Sequence, residues 1–213
     1  MKLATLVVAA LAATAGHAAA QEFQPKAAGT FVVTARATGV LTDASDPITT
    51  AAGAASGLNA EVGDDVMPTL GFTYFFTDKI AVEAILGTTQ HEVRARGGAT
   101  DVAVHKTWVL PPVVTVQYHP LPAAKVSPYV GAGVNAMIFY GGDDKNGFSV
   151  DLDNGIGWAL QAGADVALQG PWALNLDVKK VFFKTDASIN GGALKSEVNL
   201  DPWVVSAGVS RRF

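Results

Sequence analysis

A two-residue alternation of apolar and polar side chains, repeated in eight segments, limits the possible folds of this chain most. In the segment nearest the carboxyl end, Trp203, Val205, Ala207 and Val209 share one parity, and mostly small or polar residues share the other. This is the period of a β-strand, in which successive side chains point to opposite faces. Trp203 and Phe213 put an aromatic ring at each end of the apolar face, as in transmembrane β-barrels, whose lipid-facing band lies between aromatic girdles.

The alternation divides the chain into strands, tight turns and long polar segments. The predicted strands cover approximately residues 29–41, 66–77, 80–92, 105–119, 128–140, 156–168, 172–184 and 203–213. Long loops at residues 43–65, 94–103, 141–155 and 185–198 alternate with tight turns near residues 78, 123 and 170. An even strand number with this asymmetry is typical of bacterial outer-membrane proteins. The sequence therefore predicts an all-β fold, an eight-stranded antiparallel transmembrane β-barrel with four long extracellular loops and three short periplasmic turns.

The first twenty residues have the pattern of a secretory signal peptide. Lys2 is followed by an uncharged apolar run at residues 3–15, and Ala18 and Ala20 form an A-x-A cleavage site. We therefore predict a signal peptide at residues 1–20 and a barrel domain at residues 21–213. The chain is 49% hydrophobic, yet no other segment approaches the roughly 20 apolar residues of a membrane helix. We expect export to the outer membrane of a Gram-negative bacterium.

Five charged residues lie on the strand face that alternates with the aromatic side chains. They are Arg36, Glu83, Asp165, Asp177 and Lys179. A soluble lipocalin-like barrel would expose this face, whereas a membrane barrel would enclose it and would have to pair the charges. The signal peptide and the aromatic strand ends favour the membrane barrel. We therefore expect a polar network in the periplasmic half of the lumen.

Two further features concern the barrel wall. Pro111 and Pro112 lie inside the fourth strand, where each removes a ladder hydrogen bond, and they predict a bulge or kink. Lys180 falls on the lipid-facing parity of the seventh strand, so its ammonium must reach toward the interface or the register must shift.

The chain resembles the outer membrane protein W (OmpW) family in four stretches. These are the hairpin at residues 74–83, Leu110 with the two prolines that follow, residues 128–135, and residues 200–203 before the terminal Arg-Arg-Phe. The resemblance implies an eight-stranded barrel with a partly hydrophobic lumen. It also implies weak channel activity, passage or binding of small hydrophobic compounds, and a part in stress responses.

The resemblance also implies particular site residues. A family leucine that constricts the lumen matches Ile85, and a family tryptophan matches either Trp158 or Ile156. With Met137 and Phe139, these residues are the predicted apolar lining. Phe213 is implied as the assembly signal read by the barrel assembly machinery, although Arg211 departs from the apolar or aromatic residue found there in many terminal strands.

Two functions remain open at this stage. The first is a narrow, porin-like channel or binding vestibule for small hydrophobic molecules, which leave sideways into the bilayer where Pro111 and Pro112 weaken the wall. An eight-stranded barrel has room for side chains or one small ligand, and not for a wide aqueous channel. The second is a structural or receptor barrel with a plugged lumen, whose loops mediate adhesion or a stress response.

Catalytic and metal-binding patterns are weak. The chain has no cysteine and no G-x-S-x-G motif, so we expect no enzyme activity and no cofactor. His91, His105 and His119 are too widely spaced for a local metal motif, although His91 and His105 could meet across a hairpin. A net charge of −4 gives no footprint for nucleic acid. The expected partners are outer-membrane lipid, lipopolysaccharide, small hydrophobic solutes and the assembly machinery, with a monomeric or weakly oligomeric state.

Overall fold

The computed structural model describes residues 23–42 and 44–213, and the predicted signal peptide lies outside them. The strands are β1 (Phe31–Leu41), β2 (Ser45–Thr50), β3 (Ala55–Val62), β4 (Asp65–Phe75), β5 (Ile80–Gly87), β6 (Thr89–Gly97), β7 (Thr100–Leu110), β8 (Val113–Tyr118), β9 (Val126–Asp144), β10 (Val150–Leu152), β11 (Gly155–Ala167), β12 (Trp172–Phe182), β13 (Lys184–Ile189), β14 (Leu194–Asn199) and β15 (Trp203–Arg212). Within these residues no helix is long and apolar enough to cross a membrane.

Eight strands form a closed antiparallel barrel, as predicted. Their order around the ring is β1, β4, β5, β8, β9, β11, β12 and β15, and β15 pairs with β1 to close it. Phe31 and Phe213 exchange backbone hydrogen bonds of 3.2 and 2.8 Å beyond the last ladder pair. Short connections after β4, β8 and β11 define one end of the barrel, which we call the turn end. The opposite end is the loop end.

The barrel is apolar on its outer face and polar in the turn-end half of its lumen. On β12, Trp172 and Leu174 are exposed, whereas Asn175, Asp177 and Lys179 on the other parity are buried. A soluble barrel has the reverse arrangement, with its apolar face turned inward. The soluble alternative is therefore excluded, and the outer face has the composition of a surface that contacts lipid.

The predicted long loops are largely regular, which corrects their assignment as loops. Their strands form a second sheet at the loop end, in the order β10, β13, β14, β2, β3, β6, β7 and β9. The sheet encloses a small apolar cluster that includes Ile48, Val93 and Val104. These segments are rich in Ala, Gly, Thr and Asp and lack a sustained apolar alternation. They form strands because pairing with neighbouring strands satisfies their backbone groups.

Two of the interruptions in the long strands of the wall lie at prolines. Pro111 and Pro112 separate β7 from β8, which confirms the predicted kink. Beside them, the ladder of β5 with β8 ends at the pair Ile85–Val113, and the ladder of β6 with β7 starts at Thr89–Val109.

The second interruption separates β14 from β15 at Asp201 and Pro202. Lys180 lies on the outer face beside it, with its ammonium 5.2 Å from the Trp203 ring and bonded to the Asp201 carbonyl. The ammonium of Lys180 thus reaches along the outer surface, and the register of β12 does not shift. Of the two outcomes expected from the sequence, the structure shows the first.

Candidate functional site

An apolar cavity occupies the half of the lumen nearest the loop end. We call it the vestibule; its space is about 1030 Å³, including its opening to solvent. Its apolar lining comprises Val40, Val62, Met67, Ile85, Val93, Val109, Pro111, Val113, Met137, Phe139, Leu152, Val181, Ala187, Val198, Leu200, Pro202 and Val204. Inward parity on successive strands brings these side chains together, because every second residue of a barrel strand faces the lumen.

The structure places three of the five predicted lining residues in the vestibule and two outside it. Ile85, Met137 and Phe139 line the cavity. Ile156 and Trp158 are 80% and 72% exposed on the outer face, so their assignment to the lumen was wrong. The error is one of parity, since the assignment followed a family tryptophan by local matching. On β11 the residues that point inward are those in step with Gln161, which is buried.

Sequence reasoning missed the residues that form this part of the wall. Val181 on β12 and Val109 on β7 pack with Met137 in one buried apolar cluster. A usable signal was present, because Val181 has the same parity as Asp177 and Lys179, which were assigned to the lumen.

A polar layer lies below the vestibule and contains four of the five predicted charged residues. Arg36 Nη2 donates to Glu83 Oε1 at 2.6 Å, and Lys179 Nζ lies 3.6 Å from Glu83 Oε2. Lys179 also pairs with Asp177. Gln161 Nε2 donates to both carboxylates, at 2.7 Å to Glu83 and 2.6 Å to Asp177. Pairing of this kind is what buried charges require, because an isolated charge in a low dielectric costs several kcal/mol.

Asp165, the fifth charged residue, connects this layer to the turn end. Asn175 links Asp165 to the polar layer. Its Oδ1 accepts a hydrogen bond of 2.6 Å from Arg36 Nε, and its Nδ2 donates one of 2.8 Å to Asp165. Asp165 forms its ion pair with Lys26, at 2.6 Å. The partner of Asp165 thus comes from outside the strands, whereas Arg36, Lys179, Glu83 and Asp177 are all strand residues.

Lys26 was not identified from the sequence because it lies before the first predicted strand. Its ammonium is buried and also bonds His119 Nδ1 and Ser127 Oγ, each at 3.0 Å. Burial lowers the pKa of Lys26, while the Asp165 carboxylate acts in the opposite direction. Burial and the Lys26 ammonium lower the pKa of His119, which follows β8, to about 3. The His119 ring is therefore neutral, and its Nδ1 accepts a hydrogen bond from the Lys26 ammonium.

Lys26 belongs to a segment that crosses the turn end of the barrel. We call residues 23–30 the strap. Lys26 N donates to the Pro122 carbonyl at 3.2 Å, Arg212 bonds the Gln24 carbonyl, and the Arg212 guanidinium lies 5.3 Å from the Phe23 ring. The strap therefore lies at the end of the lumen opposite the vestibule.

The histidines at the loop end have separate partners. His91 bonds the Gly63 carbonyl at 2.7 Å, and His105 bonds Asp144 at 2.8 Å. On the sheet, His91 is paired with Thr107 rather than with His105. Across the described part of the chain, no group of three or more His, Cys, Asp or Glu side chains is arranged to hold a metal ion.

The sequence profile of the OmpW family matches residues 27–213, which is nearly the whole described barrel. The chain belongs to the OmpW family. Its relatives in this family include an uncharacterized outer-membrane protein, y4mB of Sinorhizobium fredii, which is 41% identical over 182 residues, 84% of this chain and 77% of the relative. The resemblance seen in the sequence is confirmed.

Two further relatives of this OmpW-family chain bear on its structure and on its function. The crystal structure of the outer membrane protein OprG from Pseudomonas aeruginosa has a TM-score of 0.84 and 31% identity, and the match covers 90% of this chain and 99% of OprG. The dibenzothiophene metabolism operon protein PahQ of Pseudomonas aeruginosa is 34% identical over 163 residues, 74% of this chain and 76% of PahQ.

Membership of the OmpW family fixes the orientation of the barrel. The protein is an outer-membrane β-barrel, so the loop end is extracellular and the turn end is periplasmic. The vestibule accordingly faces the outside of the cell, and the strap faces the periplasm.

Proposed function

We propose that this OmpW-family barrel admits small hydrophobic molecules from outside the cell into the vestibule and releases them sideways into the bilayer. The observation that carries the proposal is the position of an apolar vestibule directly above a lumen filled with paired charges. A molecule that enters from the extracellular end meets an apolar wall first and a charged floor second. Its path of lowest cost then leads through the wall.

The vestibule favours apolar ligands by removing their surface from water. A compound that buries about 200 Å² of apolar surface gains about 5 kcal/mol, at about 25 cal/mol per Å². Ile85, Met137 and Phe139 supply part of this surface, on two different strands. Hydrophilic solutes gain nothing comparable, because most of the wall offers them no hydrogen-bonding group.

The floor opposes direct passage to the periplasm. To cross it, a solute would have to separate Arg36 from Glu83 or Lys179 from Asp177, and breaking a buried ion pair costs about 3–5 kcal/mol. Beyond that layer lies the strap, with the further pair of Lys26 and Asp165. An apolar ligand cannot offset these losses, because it has no charge to replace either partner.

The exit that we propose is the interruption at Pro111 and Pro112. Pro111 lines the vestibule, and the backbone ladder beside it is interrupted between Ile85 and Thr89. Across this gap the Thr88 hydroxyl bonds the Val109 carbonyl at 3.3 Å and the Tyr140 hydroxyl at 2.5 Å. Side-chain hydrogen bonds of this kind open at lower cost than a continuous ladder of backbone hydrogen bonds.

The name of one relative supports the substrate class. PahQ is named for an operon of dibenzothiophene metabolism, and dibenzothiophene is a small apolar aromatic compound. A vestibule lined mainly by aliphatic side chains, with Phe139, suits small compounds that have an apolar body.

Replacement of Ile85 by aspartate tests the proposal. A buried carboxylate disfavours an apolar ligand by several kcal/mol, so uptake of a fluorescent hydrophobic probe into liposomes that contain the folded variant should fall at least about tenfold. Thr100→Asp, which places the same charge at an exposed position of β7, is the matched control and should leave uptake unchanged. Normal uptake by a correctly folded Ile85→Asp barrel would contradict the vestibule and favour the receptor function.

The receptor function has one observation in its favour. The extracellular sheet carries an exposed ionic cluster in which Arg94 pairs with Glu92 and Asp101, and Arg96 pairs with Glu61 and Asp101. A regular, charged surface of this kind is suited to contact another macromolecule. Binding of cells or of lipopolysaccharide that persists when uptake is abolished would support it.

A further inference from the structure

Asn135 is a buried polar residue at the base of the vestibule with one unused hydrogen-bonding atom. It lies on β9 between Val113 of β8 and Gly157 of β11, and it is 1% exposed. Its Nδ2 donates to the Pro112 carbonyl at 3.2 Å, which sets the orientation of the amide. Its Oδ1 is buried and accepts no hydrogen bond from any described residue. The side chain lines the vestibule.

An unpaired buried carbonyl is costly and uncommon. Such a group loses about 1–3 kcal/mol relative to its hydrated state, and the large majority of buried polar side-chain atoms in proteins have a partner. Polar groups of the layer below are directed to one another. Thr115 Oγ1 donates to Gln161 at 2.6 Å, and the Lys179 ammonium is held by Asp177 and Glu83.

The surroundings of the amide disfavour water as its permanent partner. An ordered internal water needs two to four polar neighbours. Val113 is the ladder partner of Asn135, and Met137 is the next inward residue along β9. These apolar side chains offer a water molecule no hydrogen bond. A ligand with one donor group and an apolar body would satisfy the carbonyl and fill the apolar space together.

We infer that Asn135 Oδ1 accepts a hydrogen bond from the hydroxyl group of the ligand, so that the vestibule selects hydrophobic alcohols and phenols over hydrocarbons and ethers of the same shape. This inference rests on the proposed function, because it assigns a ligand class to the same vestibule. The donor lies at the base of the vestibule, and the apolar body lies against Ile85, Met137 and Phe139. Carboxylate ions are excluded, because they carry no donor and would place a negative charge against the carbonyl oxygen.

Two ligands of nearly equal shape test the inference. 1-Naphthol and 1-methoxynaphthalene share the ring and the oxygen, but only 1-naphthol can donate a hydrogen bond. Equilibrium binding of each is measured to the wild-type barrel in detergent micelles, with empty micelles as the blank. We expect 1-naphthol to bind about tenfold more tightly, which corresponds to one hydrogen bond of about 1.4 kcal/mol.

The variant Asn135→Leu removes the amide with little change in side-chain size. Its ratio of the two affinities should fall to about one. Asn59→Leu makes the same substitution on β3 in the extracellular sheet, where Asn59 Nδ2 bonds Ser45 instead, and should keep the tenfold ratio. If Asn135→Leu does not fold, the wild-type ratio still decides, since it requires no variant.

The outcomes separate this inference from the proposed function. Equal binding of both compounds to the wild type would overturn the inference and leave the proposed function standing. A preference for 1-naphthol that persists in Asn135→Leu would also overturn it, because the donor would then be recognised elsewhere. Absence of binding by either compound would overturn the proposed function and the inference together.

Discussion

Replacement of Lys26 by methionine removes the cation that pairs with Asp165 at the periplasmic end of the lumen. The side chains of Lys26 and Asp165 are only 2% and 13% exposed, so the variant leaves a largely buried carboxylate without its ion pair. Loss of one partner from a buried pair costs about 3–5 kcal/mol. Because Asp165 keeps its 2.8 Å hydrogen bond from Asn175 and some contact with solvent, we expect the lower end of this range, about 3 kcal/mol.

Urea unfolding of the barrel in phospholipid vesicles measures this loss, and conductance across planar bilayers reports on closure of the lumen. Lys26→Met should lower the free energy of unfolding by about 3 kcal/mol and raise ion conductance. The double variant Lys26→Met with Asp165→Asn should recover much of the stability, because it leaves no unpaired charge. Lys145→Met is the control, since Lys145 pairs with Asp143 on the surface and such pairs contribute about 0–1 kcal/mol.

A Lys26→Met barrel with wild-type stability and conductance would refute this reasoning. Lys26 would then be solvated, and the strap would not close the periplasmic end. A loss of stability that the Asp165→Asn change does not reverse would show instead that the strap contributes through packing rather than through charge.

Three further predictions concern other parts of the barrel. Deletion of Phe213, which is 63% exposed and bonded to Phe31 through its backbone, should lower the yield of folded barrel in cells without affecting export, as measured by gel mobility without heating. Backbone hydrogen bonding from Val150, followed by the bond from His105, lowers the pKa of Asp144 below 3.8, so Asp144 stabilises the extracellular sheet above about pH 4 and less so as the pH falls further; protease nicking of this sheet should increase in acid, and Asp144→Asn should remove that pH dependence. Trp158→Phe should leave probe uptake unchanged, because Trp158 faces lipid. Reduced uptake by a folded variant would indicate that Trp158 lines the lumen instead.

The charge arrangement in the lumen explains why the strap belongs to the barrel. The strands pair Arg36 and Lys179 with Glu83 and Asp177, and they also bring the buried Arg212 to the turn end. The ion-pair partner of Asp165 is Lys26, which lies outside the strands. A buried network is stable only when each charge has a partner, so folding of the strap and completion of the network are coupled.

Strand parity was the most reliable guide to the site, and departures from it caused the main error. Asp177 and Lys179 were placed in the lumen from alternation alone, and the structure places them there. Ile156 and Trp158 were placed by likeness to a family position, against the parity of Gln161 on the same strand, and both lie outside. A shift of one residue moves a side chain to the opposite face of a barrel, so a match that is one residue in error reverses inside and outside.

Alternation, turn residues and the aromatic strand ends determined from the sequence alone that this chain forms an eight-stranded outer-membrane barrel, because these are local properties of each strand. They could not show that the long extracellular segments pair into a second sheet, since that pairing joins residues far apart in the chain, such as Thr49 and Lys195. Nor could they show that Lys26 meets Asp165 or that one atom of Asn135 has no partner among the residues that the structure describes. Contacts of this kind arise only when the closed barrel brings distant strands and the strap around one lumen, and the tertiary structure alone decides them.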